Sequence, residues 1–181
     1  MTQDHRETAG GFEPAVLQAG LVQPQAVLAA ALADLPGPAR ARHAPALARR
    51  LPGWTASLRA MRLGSSHGPV LAVWLAEGPE AEIDQAMAGE PVLGLLLHRL
   101  ASGLVMAALA CLRPQAAERN CAPRPEICPD LDTALAAHGL ADAQGRPARR
   151  YAVITHDTPD AGCADCGLRH GCQGPRTGSL P

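Results

Sequence analysis

The sequence is poor in aromatic side chains and contains no lysine. Its 181 residues include only four aromatic side chains: Phe12, Trp54, Trp74 and Tyr151. The core must therefore be built from Leu, Ala, Val, Ile and Met. The chain also lacks the aromatic platforms on which single-stranded nucleic acids stack. Its net charge is −1 and its arginines are dispersed, unlike the basic surface of a nucleic-acid-binding protein. We expect no nucleic-acid partner.

An export signal and a clear membrane span are also missing. The polar N-terminus, residues 1–11, has no basic start followed by an apolar stretch. The most apolar region runs from Val92 to Leu112 but contains His98 and Arg99, and an arginine is costly inside a bilayer. This region predicts a buried core helix. We expect a cytoplasmic protein with no membrane partner, whose six cysteines are thiols or metal ligands in a reducing compartment.

The order of the elements predicts a mixed α/β (α+β) fold in one domain, with helices packed on a small sheet. We expect a disordered tail over 1–12, the α/β domain over 13–160, a Cys-rich metal-binding loop over 161–175 and a tail over 176–181. Helices are predicted at Ala15–Leu35, interrupted by Pro24, and at Ala39–Arg50, closed by Pro52 and Gly53.

The rest of the domain alternates between predicted strands and helices. The apolar run Val70–Ala76 is typical of a strand buried on both faces, and the alternating run Arg150–Thr155 predicts a second strand. Helices are expected at Glu80–Ala88, from Pro91 to Leu112, and at Leu131–His138, with Asp130 as N-cap and Gly139 as stop. The Pro-rich stretch from Pro114 to Pro129 predicts a loop.

The cysteines near the C-terminus carry the main functional signal. Cys163 and Cys166 are separated by two residues, and Cys172 follows. A tight turn lets such a pair face one metal, and glycines around the pair permit the backbone turns that a metal loop needs. Thiolates suit zinc or an iron–sulfur cluster. The fourth ligand could be Cys128, which we favour, or one of several alternatives: Cys121, His156, His170 or an exogenous group.

Two other interpretations of this loop stay open. A cysteine pair with this spacing could serve as a redox dithiol, or the cysteines could form an exposed, reduced tail that binds no metal. Cys111 lies on the apolar helix and is expected to be a small buried side chain.

The order of segments from Gly68 to Cys172 resembles the reactivation domain of cobalamin-dependent methionine synthase, in its short stand-alone versions. The resemblance lies in the strand, glycine turn and helix of residues 69–84, the small-residue helix of 95–109, Cys128-Pro-Asp130 before a helix, and the Pro-led strand of 147–155. Stand-alone members often finish with a short Cys cluster.

This resemblance implies an α/β domain that binds S-adenosylmethionine (SAM) and helps to return an oxidised corrinoid protein to its methylated state. The family binds SAM through an Arg-x-x-x-Gly-Tyr motif, of which only Arg124 is present here. The resemblance thus implies Arg124 as the cofactor-binding residue, and we expect weak or absent SAM binding.

The C-terminal run from Cys163 to Pro175 is also similar to the signature of the nitrogen-fixation protein that donates molybdenum to the nitrogenase cofactor. That family has an earlier cysteine where this chain has Thr158, and it lacks a strand like Arg150–Thr155. Three hypotheses follow: an accessory protein for a corrinoid or other metalloenzyme client, a molybdenum or iron–sulfur carrier, and a non-catalytic interaction domain stapled by zinc.

Overall fold

The chain forms a mixed α+β domain, as the sequence predicts. The computed structural model describes residues 15–16, 22–76, 78–115, 122–142, 148–158 and 166–168. Within them the strands are β1 (Ala15–Val16), β2 (Leu58–Leu63), β3 (Val70–Leu75) and β4 (Ala152–His156). The helices there are α1 (Pro24–Ala31), α2 (Gly37–Ala56), α3 (Glu80–Gly89), α4 (Pro91–Leu112) and α5 (Pro129–Ala137).

The strands form an antiparallel sheet in the order β1-β2-β3-β4. β3 lies between β2 and β4: Leu63 pairs with Val70 on one side, and Val70 pairs with His156 on the other. The predicted strands at Val70–Ala76 and Arg150–Thr155 are therefore neighbours in one sheet. The second begins two residues later than predicted, at Ala152.

Both faces of the sheet are covered, which explains the unbroken apolar sequence of β3. Leu71, Val73 and Leu75 join the larger core cluster with α1, α2 and α4. Val70, Ala72 and Trp74 point to a second cluster that contains Leu131 and Leu135 of α5. All six residues of β3 are buried, so every second side chain serves each core.

The central helix α4 spans Pro91–Leu112, as predicted, and packs against α1, α2, α3 and the sheet. Nine of its residues are buried, among them Leu97, Leu100 and Leu104. Cys111, which was expected to be buried, is exposed near the end of this helix. Of the described helices, α4 is the one long and apolar enough to cross a membrane, and 44% of its most apolar stretch is buried inside this fold. Its apolar surface is thus used in large part by the core.

The N-terminal predictions were partly wrong. Ala15 and Val16 pair with β2 rather than opening a helix, and α1 begins at Pro24, because proline suits the first helical turn, where its missing N–H costs nothing. α2 runs on through Pro52 and Gly53 to Ala56. At the C-terminal end of α2 the Gly53 carbonyl accepts a hydrogen bond from the N–H of Ser57, the residue after the helix.

The start of α5 also differs from the prediction. Its N-cap is Cys128, and Asp130 already lies in the first turn. Asp130 instead accepts hydrogen bonds from the backbone N–H and hydroxyl of Ser66 at 2.8 and 3.3 Å, which joins α5 to the β2–β3 turn. Gly139 follows the helix with φ of +66° and is the predicted stop.

Candidate metal centre

The segment formed by residues 122–128 lies against the end of β4. The Pro123 carbonyl accepts hydrogen bonds from the Thr155 hydroxyl at 2.9 Å and from the His156 N–H at 3.2 Å. Pro123, Pro125 and Cys128 are buried. The Pro-rich stretch is thus a loop here, as predicted, but one whose backbone is held by the strand that leads towards the cysteines.

A buried arginine holds the chain at the point where β4 ends. Arg113, directly after α4, is 4% exposed. Its guanidinium donates to the Thr155 hydroxyl at 3.0 Å, to the Thr158 carbonyl at 2.8 Å and to the His156 carbonyl. Five N–H donors in a planar fork allow one arginine to bind several oxygens at once. This side chain ties the core helix to the start of the Cys-rich loop.

Asp157 fixes the same point from the other side. Its N–H donates to the Pro69 carbonyl at 2.8 Å, and its carboxylate accepts from Arg62 Nε at 2.6 Å. Residues 156–158 are therefore held by β2, by the residue before β3 and by the end of α4. Cys163 follows this stem by five residues in the sequence.

The Cys-rich loop returns to the 122–128 segment at Gly167. The Gly167 N–H donates to the Arg124 carbonyl at 2.8 Å. A Cβ on Gly167 would lie 3.3 Å from the backbone of Glu126 and from the Pro125 carbonyl, so the absence of a side chain permits this approach. Cys166 next to it is partly buried, whereas Leu168 and Ile127 are 52% and 37% exposed.

The predicted site residues fall into three groups. Cys166 and Arg124 are brought together through the Gly167 hydrogen bond. Cys128 is buried in the second core cluster, and its thiol donates to Asp130, which lowers the pKa of that carboxyl to about 2, with a further contribution from the Ser66 N–H. Cys163 and Cys172 lie outside the described residues, as do Cys121 and His170.

The donor chemistry fits a thiolate-bound centre only if the cysteines outside the described residues take part. Among the residues that the structure describes, no three His, Cys, Asp or Glu side chains come together. Cys166 could supply one thiolate at the anchored end of the loop. Zinc and iron–sulfur clusters usually need three or four such ligands, so Cys163 and Cys172 remain the predicted partners.

Of the SAM motif that the resemblance implies, the described residues contain one member, Arg124. Arg124 is half-buried, and within the described part of the chain its guanidinium makes no hydrogen bond or ion pair. The carbonyl of Arg124 is already taken by Gly167. The Gly and Tyr of the expected motif are replaced by Cys128 and Pro129, and Cys128 caps α5. The Arg124 guanidinium could bind a carboxylate, but the Arg124 carbonyl already accepts a hydrogen bond from Gly167 of the Cys-rich loop.

Two elements of this site were missed from the sequence. Arg113 is a charged residue directly after a long apolar helix and before Pro114, and this position is the one sequence signal for its role. The signal is weak, because an arginine at the end of a helix is usually expected to be exposed to solvent. The hydrogen bond between Gly167 and Arg124 leaves no local signal in the sequence, because the two residues are 43 positions apart.

Comparison of the chain with protein-family models, curated proteins and solved structures gives no match.

Proposed function

We propose that this protein is an accessory protein that holds a Cys-ligated iron–sulfur or zinc centre and assists the reductive reactivation of a corrinoid enzyme. The observation that supports the proposal is the anchoring of the Cys-rich loop. The N–H groups of His156 and Gly167 both donate to the 122–128 segment, so the described residues that precede and follow Cys163 in the sequence are held by the same part of the fold.

An anchored loop favours metal binding because the ligands lose less conformational freedom when they close around the ion. Cys163, Cys166 and Cys172 would hold the centre, with another group as the fourth ligand or with Cys128, whose thiol would then lose its proton and its hydrogen bond to Asp130. An iron–sulfur cluster supplies one-electron transfer when bound. The chain itself contributes the rigid stem, through Arg113 and Asp157, and an apolar border, through Ile127 and Leu168.

That apolar border supports a protein client rather than an isolated storage site. Leu168 follows Gly167 directly, Ile127 belongs to the 122–128 segment that Gly167 contacts, and both are exposed large apolar side chains. Exposed apolar side chains beside a functional centre are typical of contact surfaces. The presence of β4 favours the corrinoid-accessory hypothesis over the molybdenum carrier, since the similarity to the latter family implies no strand there.

Anaerobic purification with metal analysis and a visible spectrum tests the centre. Iron with sulfide and a broad visible absorption supports an iron–sulfur centre, and stoichiometric colourless zinc supports a zinc centre; metal-free protein contradicts the proposal. If zinc is found, the client assay separates the accessory role from that of an interaction domain with structural zinc. The client role is tested by following the return of an oxidised corrinoid methyltransferase to its methylated form with titanium(III) citrate as electron donor and SAM as methyl donor. No acceleration over these reagents alone contradicts the proposal.

The variant Leu168→Asp separates client contact from metal binding. We expect it to retain the metal and to lose the acceleration. Met106→Asp is the matched control, because Met106 is similarly exposed, at 41%, but lies on α4; it should leave both properties unchanged. Equal acceleration by the two variants would show that the border at Leu168 does not contact the client.

A further inference from the structure

A surface pocket of about 500 Å³, largely open to solvent and called the cavity below, lies between α1 and α4. It is lined along α1 by small apolar residues, among them Ala26, Val27 and Ala30, and along α4 by His98, Arg99, Ser102 and Gly103. None of the predicted metal ligands lines it. Its volume falls within the range of small-molecule sites in proteins.

The cavity exists because the facing residues are small. The two helices approach so closely at Gly103 that a Cβ there would lie 2.8 Å from Val27 Cγ1. Ala26, Ala30 and Ala31 carry only methyl groups, so the space beside this contact is left open. Larger side chains at these positions would fill this space. The small residues leave an apolar wall at the end of the cavity near Gly103.

The opposite end of the cavity carries one positive and one negative group. Arg99 Nη1 lies 3.0 Å from Asp34 Oδ2, and the side chains are 42% and 76% exposed. Within the described part of the chain this is the one hydrogen bond that Arg99 makes, so other donors of its guanidinium fork remain for a ligand. The charges sum to zero, which disfavours a simple anion or a simple cation.

Further polar groups lie on the α4 side. His98 Nδ1 is 2.9 Å from the hydroxyl of Tyr151, and Tyr151 is 3% exposed, so a buried group sets the orientation of the imidazole. Its second nitrogen, Nε2, keeps hydrogen-bonding capacity. Ser102 is four residues further along and therefore on the same face of α4. Both side chains line the cavity.

We propose that this cavity binds a free α-amino acid with a large apolar side chain. The carboxylate would bind the Arg99 guanidinium, the ammonium group would bind Asp34, and the side chain would lie against Ala26 and Ala30. This inference does not depend on the Cys-rich loop. A zwitterion pairs with both charged groups, so the exposed ion pair between Arg99 and Asp34 is replaced by one ion pair at each of them. The side chain of the amino acid then packs against the apolar wall.

The test is a ligand-observed NMR titration of the full chain with L-phenylalanine, phenethylamine and 3-phenylpropanoate. The amine and the acid each lack one of the two charged groups. We expect saturable binding of the amino acid, and weaker binding of both analogues. Equal binding of the three compounds, or no binding of L-phenylalanine, would overturn the proposal.

Three variants locate the site. Arg99→Gln and Asp34→Asn should each weaken binding by about fivefold, the scale of an exposed ion pair, and both lie at the surface, where folding is little affected. Ala30→Leu should abolish binding by filling the cavity. Ala29→Leu, which is exposed on α1 like Ala30 but lies outside the lining, should leave it unchanged. Unaltered binding in Arg99→Gln and Asp34→Asn would overturn the assignment.

Discussion

Gly167 donates its backbone N–H to the carbonyl of Arg124 at 2.8 Å. This bond joins the Cys-rich loop to the 122–128 segment, which contains Arg124. It also brings Cys166 beside residues that are themselves fixed by β4. A loop whose return point is fixed in this way has two anchored ends, which is the basis of the metal-centre proposal.

Alanine at position 167 should loosen this attachment. The new Cβ would lie 3.3 Å from Glu126 backbone atoms and the Pro125 carbonyl, so one of the two segments has to shift by a few tenths of an ångström. We expect faster amide hydrogen exchange over residues 122–128 in Gly167→Ala. Gly64→Ala is the control, since a Cβ there meets nothing within 4 Å. Identical exchange in both variants would show that the contact does not hold the loop.

Removal of the buried guanidinium should cost far more stability than removal of an exposed one. Arg113→Met leaves the Thr155 hydroxyl and the Thr158 carbonyl without their donor, and we expect the free energy of unfolding to fall by about 3 kcal/mol. Arg42→Met removes an exposed pair with Glu90 and should cost at most about 1 kcal/mol. Urea denaturation measures both, and similar losses would contradict the structural role of Arg113.

Two glycines inside helices should respond to alanine with opposite signs. At Gly94 a Cβ would lie 2.7 Å from the Met87 backbone nitrogen, and overpacking of about 1–3 kcal/mol outweighs the gain of about 1 kcal/mol in helix propensity. At Gly53 a Cβ meets nothing within 4 Å, so the propensity gain remains. We expect thermal unfolding to shift downwards in Gly94→Ala and upwards in Gly53→Ala; stabilisation by both would mean that α3 and α4 pack less tightly.

The hydrogen bonds to Asp130 should make part of the stability depend on pH. The Cys128 thiol and then the Ser66 N–H lower the pKa of Asp130 from 3.8 to about 2. A carboxyl whose pKa is lower in the folded state stabilises the fold above its unfolded pKa and loses this contribution as the pH falls from about 4 to about 2. Asp130→Asn should therefore flatten the pH dependence of unfolding in that window. An unchanged profile would show that these bonds do not favour the ionised form.

The sequence was most informative where an element is apolar without interruption. β3 is buried on both faces and α4 is apolar along most of its length, so continuous apolar runs located both. β2 also contributes to both cores, because Leu58 and Ala60 face the larger one and Met61 and Leu63 face the second one. It was missed because Arg59 and Arg62, one on each face, interrupt the run, so neither a continuous apolar run nor a clean alternation appears.

For the candidate site, the sequence predicted which residue types would bind a metal but not the contacts that hold the segments around them. The spacing of Cys163, Cys166 and Cys172 predicts a metal loop, but the stem that holds it depends on contacts between distant segments, such as Arg113 with Thr158. The expected N-cap role of Asp130 was wrong because Cys128 holds the N-cap position, the helix begins at Pro129, and Asp130 bonds to Ser66 instead. Tertiary hydrogen bonds of this kind leave no local pattern in a sequence.

The most direct test of the account is the metal content of single-cysteine variants after anaerobic purification. Cys166→Ser should lose most of the iron or zinc, as should Cys163→Ser and Cys172→Ser, because each removes a thiolate from one shared centre. Cys111→Ser, on α4 and outside the predicted ligand set, should keep the wild-type content. Full retention of the metal in all three loop variants would contradict the existence of the centre.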